Sequence, residues 1–97
     1  MENEMIKYTS GPWSYYTKPQ PNGCPIVGAK GLMIAQIAHS INEEWQAKTA
    51  IANAQLISAA PELLEALQTL VDNFGPTPSE KVNGLAEARA AIKKAIG

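Results

Sequence analysis

The stretch Ala52–Leu67, ANAQLISAAPELLEAL, decides the fold of this chain. It reads as two helical segments meeting at Pro61, which has no N–H to give to the carbonyl of Ile57. Upstream, Ser40 followed by Glu43 has the spacing of a capping box, so the first helix is expected over about residues 41–60. Trp45, Thr49, Ala52, Leu56 and Ala59 form one stripe of that helix. Ala47, Ala50, Ile51, Ala54 and Ser58 form a roughly opposite one. A helix lying on a single core needs one apolar stripe, so two stripes predict cover on both sides.

Downstream, Leu63, Leu64, Leu67, Leu70, Val71 and Phe74 keep helical spacing, and Gly75-Pro76 ends the run. Thr77-Pro78-Ser79-Glu80 resembles a second capping box. It predicts a last helix running to about Ile96, with Val82, Leu85, Ala88, Ile92 and Ala95 inward and Gly84 as a weak point.

Before residue 40 the period changes to two. Trp13–Lys18 favours a strand, and Pro19–Gly23 a turn. Pro25–Ala29 reads as a second strand, Lys30-Gly31 as a tight reversal, and Leu32–Ala38 as a third strand, largely apolar on both faces and so expected to be the central or best-covered one. A further short strand is expected at Met5–Tyr8. The expected architecture is α+β: a three-stranded antiparallel meander followed by two or three helices packed on one face. It forms one domain over 1–97, with a polar lead at 1–10, the meander at 12–39 and the helical part at 40–97. The long helix is expected to meet the sheet through Trp45, Ala52 and Leu56.

An apolar fraction of 45% permits a packed core. The net charge of −1 divides as +1 over residues 1–42, −4 over 43–72 and +2 over 73–97. No segment gathers the cations needed to follow a phosphate backbone, so direct nucleic-acid binding is not expected. One cysteine, Cys24, makes no internal disulfide. The acidic start, Met1–Met5, lacks the basic region of a signal peptide, and no apolar run is long enough to span a membrane. A cytoplasmic protein is expected.

Candidate chemistry is sparse. His39 has Glu43 as its nearest carboxylate in sequence, too few ligands for a metal. Cys24 with His39 would be a nucleophile pair only if the fold joined them, and the spacing gives no support. Gly23, Gly28 and Gly31 lack the strand–turn–helix order of a phosphate cradle. The expectation is a non-enzymatic protein with no cofactor and no metal. Trp13, Tyr15 and Tyr16 with Lys18 are the best contact candidates, because aromatic residues dominate binding hot spots. Tyr15, Tyr16 and Lys18, together with the acidic helix starts Glu43, Glu44, Glu62 and Glu65, form the expected partner-binding set. Ala47, Ala50, Ile51 and Ala54 permit close helix approach, either internally on the last helix or as a self-association seam that would make a homodimer.

Three features resemble a widespread class of small phage and prophage proteins of unassigned function. They are Gly11-Pro12-Trp13, the glycine-containing reversal Ala29-Lys30-Gly31 before an apolar strand, and the ANAxLIxAAPELLEAL motif of Ala52–Leu67. The ending Ala88–Ala95, ARAAIKKA, is similar as well. The likeness covers about residues 11–97 and departs at Lys30, where an aspartate–glycine pair is frequent. It implies a phage genome and transfers no catalytic role. Small non-enzymatic phage proteins often block host machinery by binding, so the resemblance implies an anti-CRISPR-like or other anti-defence inhibitor working by surface occlusion of a host protein complex. This step rests on genome context. Two alternatives stand beside it. One is an oligomeric sponge for a nucleotide immune signal, needing Lys30, Arg89 and Tyr8 to converge. The other is an accessory structural or regulatory phage protein.

Overall fold

The structure, a computed structural model, describes residues 7–17, 24–38 and 44–97. Within these the chain forms β1 (Ser14–Tyr16), β2 (Ile26–Ala29), β3 (Leu32–Gln36), α1 (Glu44–Ser58), α2 (Ala60–Asp72), a short 3₁₀ turn (Ser79–Lys81) and α3 (Leu85–Ile96). The α+β order of strands before helices is the one expected. The capping box at Ser40 and Glu43, most of the Met5–Tyr8 stretch and the Pro19–Gly23 turn lie outside the described residues.

The three strands form one antiparallel sheet in the order β1-β2-β3. β2 is therefore the central strand, and Val27, Gly28 and Ala29 are buried along it. This corrects the expectation for β3, which is an edge strand with Leu32 and Met33 in solvent. An antiparallel meander puts its middle strand at the centre, whatever the apolar character of the third.

Two local devices fix the sheet. Lys30 and Gly31 both take positive φ, 54° and 79°, the pattern of the two-residue hairpin turn whose twist matches that of the strands. Val27 pairs with Ala35 while Gly28 pairs with Met33, so Ile34 is an extra residue and β3 carries a bulge. At that bulge a Cβ on Gly28 would lie 2.8 Å from the Leu32 carbonyl oxygen, so the position admits no side chain. The Tyr16 ring passes 3.6 Å from the same point and covers the bare backbone.

The residues divide into two compact units, one of Tyr8–Pro61 and one built on Glu62–Gly97. The first of these units includes α1, which packs on β1 and β2. The helix does so through Ala50, Ala54 and Ser58, four residues apart and all buried. The buried Ser58 hydroxyl donates to the Gln55 carbonyl at 2.7 Å, so burial leaves it satisfied.

This reverses the expected face of the helix. Trp45 and Leu56 are each 64% exposed, and Ala52 is exposed with them. Small side chains let a helix backbone settle close to a sheet, whereas an indole at the contact would hold it away. α1 stops at Ser58, and Ala59 donates its N–H to the Leu56 carbonyl at 3.1 Å, which tightens the last turn. Pro61 then occupies the first turn of α2, where its missing N–H costs nothing.

In the second unit, α2 closes on Gly75, at φ 58°, which accepts the left-handed conformation that ends a helix. The last helix begins later than expected. Ser79–Lys81 makes only a 3₁₀ turn, Val82 is extended, and Gly84 sits left-handed at φ 85° immediately before α3. Gly84 therefore separates two elements where a weak point inside one helix was expected. No side chain caps the 3₁₀ turn, and the hydroxyl of Thr77, the expected cap, donates to the Phe74 carbonyl instead.

Candidate functional site

The expected partner-binding residues fall in different places. Tyr15 and Tyr16 are adjacent on β1, which among the described residues is an edge strand paired with β2. Consecutive strand residues point to opposite faces, and both rings are exposed, Tyr16 at 50%. Trp13, just before β1, is half-buried and donates its indole N–H to the Thr9 carbonyl at 2.8 Å. Lys18, His39 and Glu43 lie outside the described residues. Glu44 opens α1. Glu62 and Glu65 are exposed on the first turns of α2, in the other unit.

The alanine stripe is taken up by packing. Ala54 is fully buried and Ala50 nearly so, while Ala47 is half-buried and Ile51 exposed. Of the two roles weighed for this stripe, internal packing has a partner in view, and it is the sheet that α1 lies on. Cys24 is buried, as expected of a small apolar residue, and forms no disulfide.

The cations weighed for a nucleotide site have local employment. The Lys30 ammonium donates to the Ser10 hydroxyl at 2.7 Å. Arg89 on α3 reaches back along its unit. One guanidinium nitrogen donates to the Ser79 hydroxyl at 2.7 Å and the other to the Gly75 carbonyl at 3.2 Å. That carbonyl lies just beyond α2, where unpaired carbonyls favour a cation. The same arginine borders an open groove of 480 Å³ with Glu65, Thr69, Asp72 and Ile92. Among the described residues no three of His, Cys, Asp and Glu gather as a metal site.

Sequence reasoning missed one surface. Trp45, Thr49, Ala52 and Leu56 stand together on the outer face of α1, all exposed. A groove of 200 Å³ opens beside Trp45, bordered by Ala38, Thr49, Ala50 and Asn53. The signal was present as one of two apolar stripes on this helix; nothing in the stripe itself said which one the sheet would cover.

The fold and these surfaces define a class: a small α+β protein whose large apolar and aromatic side chains stand in solvent on a strand edge and on a helix face. The family follows from comparison. A family model described as Salmonella phage P22 protein Y8K6 matches residues 1–97, and the chain belongs to that family. No curated protein and no solved structure matches it. The phage origin implied by the resemblance is thereby established at the level of the family. No helix among the described residues is long and apolar enough to cross a membrane.

Proposed function

We propose that this phage protein acts by stoichiometric contact and not by turnover, and that it occludes a surface of a host defence complex, a CRISPR effector or another, in the host cytoplasm. The observation that carries the reading is the exposure of both Tyr15 and Tyr16, one on each face of the edge strand β1. An edge strand offers unpaired backbone groups that a partner strand can take up, and tyrosines supply large contact area at little entropic cost. Lys18 follows them in sequence and adds a charge for orientation. The exposed Glu62 and Glu65 are the acidic positions that would face a basic effector surface.

The test is phage restriction in a host that expresses the chain. Expression should relieve the restriction imposed by one defence system, and a Tyr15→Ala, Tyr16→Ala variant of unchanged helix content should relieve it at least tenfold less. Equal relief by both forms would reject the tyrosine surface. Multiple turnover of any substrate by the purified protein would reject binding as the mode of action.

A further inference from the structure

We infer that two copies of this chain pair through the outer face of α1, antiparallel, with Trp45 of each against Leu56 of the other. The inference concerns a different surface from Tyr15 and Tyr16 and stands apart from the reading above.

The first ground is the composition of that face. A helix face left in water normally carries charges. From Trp45 to Ser58 the only charged residue is Lys48, and the exposed positions include Trp45, Ile51, Ala52 and Leu56. The inner stripe is already satisfied by the sheet. A face so poor in charge is suited to cover by another protein surface.

The second ground is that the stripe complements itself. Trp45, Thr49, Ala52 and Leu56 are spaced four, three and four apart, the a/d repeat of helix pairing. Turn one copy about a twofold axis passing midway between residues 50 and 51. Trp45 then meets Leu56 of the second copy, and Thr49 meets Ala52. The large residues meet at the two ends of a contact roughly 16 Å long, and the small ones meet at the centre, where the helices can approach closely.

The flanks agree as well. In this register Lys48 falls beside Gln55 of the second copy, and Gln46 beside Asn53, so no like charges are opposed. A basic or acidic partner would find little to pair with on this face. The groove beside Trp45 gives Leu56 of the second copy a recess to enter.

Area sets the expected strength. A specific interface buries at least about 1,000 Å² in total, and an indole contributes up to roughly 150–250 Å², less the third of Trp45 that its own chain already covers. Two tryptophans, two leucines and their flanks bring this contact to the low end of that range. The pairing should therefore dissociate at concentrations on the order of micromolar.

The test uses the full chain in sedimentation equilibrium, from about 1 to 500 μM, a range that brackets a micromolar dissociation constant. Wild type should pass from monomer to dimer. Trp45→Glu and Leu56→Lys each alter an exposed residue, and circular dichroism checks that both stay folded. Each alone should remain monomeric at concentrations at least tenfold above the wild-type midpoint. Mixed together they should associate, because antiparallel pairing sets the introduced carboxylate against the introduced ammonium at one end and keeps the native Trp45–Leu56 contact at the other. Wild type that stays monomeric throughout overturns the proposal, whatever the variants do. So does a dimer that both substitutions leave intact, or a mixture of folded variants that fails to associate.

Discussion

Single residues carry much of the specification of this sheet, and two of them make sharp tests. Lys30 holds a positive φ that costs a residue with a side chain energy, and its contact with Ser10 is an exposed hydrogen bond that returns little. Asn-Gly is the preferred pair for such a turn. Lys30→Asn should therefore stabilise the protein by about 0.5–1 kcal/mol, read as a higher urea midpoint at unchanged slope. A lower midpoint would mean that the Ser10 contact outweighs the backbone strain.

Gly28 is the converse case. Its missing side chain leaves room for the Leu32 carbonyl at the bulge, and a backbone atom cannot step aside as a flexible side chain can. Gly28→Ala should destabilise by roughly 1–3 kcal/mol, and a neutral result in chemical denaturation would show that the bulge relaxes. The Lys30-Gly31 reversal was legible from the sequence, because two small or polar residues between apolar runs have few other readings. The bulge was not, since Ile34 looks like any other member of an apolar strand.

Among the elements, legibility followed punctuation. Proline and glycine mark where segments begin and end, so the three strands and the break before α2 could be placed to within a few residues. Facing was harder. Trp45 and Leu56 are the larger side chains, and hydrophobic transfer alone would send them inward. The helix instead packs through Ala50 and Ala54, because close approach of backbones gains contacts that bulky groups would prevent. Two substitutions of the same kind separate these faces. Ala54→Leu should overpack the sheet contact and cost about 1–3 kcal/mol, while Ala52→Leu on the outer face should leave unfolding of the dilute protein nearly unchanged. Equal costs would place both stripes in contact.

α3 offers a second element-scale test. Arg89 ties the 3₁₀ turn and the end of α2 to this helix through two neutral oxygens. Arg89→Lys keeps the charge but has no fork to reach both acceptors. It should lose most of what Arg89→Ala loses, about 1 kcal/mol given the partial exposure of the site. A lysine variant as stable as wild type in urea would show that charge alone suffices.

In the whole molecule, the buried side chains are unevenly spread. Cys24, Val27, Ala29, Ala50, Ala54 and Ser58 all belong to Tyr8–Pro61, whereas in Glu62–Gly97 the buried residue is Leu85. α2 has no buried residue at all, although its leucines keep strict helical spacing and Leu63 and Leu70 lie exposed. Spacing predicts that a helix forms; it does not report how much cover the helix finds. For the same reason the sequence pointed to a protein of contacts without showing which contacts, since a stripe meant for a partner and one meant for the core have the same composition. Burial governs how often a segment opens, so amide exchange should follow this gradient. The amides of Val27 and Ala29, in the central strand, should exchange only on near-global opening. Those in the middle of α2 should exchange at least a hundredfold faster, a difference of about 2.7 kcal/mol in opening free energy. Hydrogen exchange followed residue by residue in dilute protein decides the matter: equal protection in β2 and α2 would mean that α2 is covered as thoroughly as the sheet and that one cooperative transition holds both units.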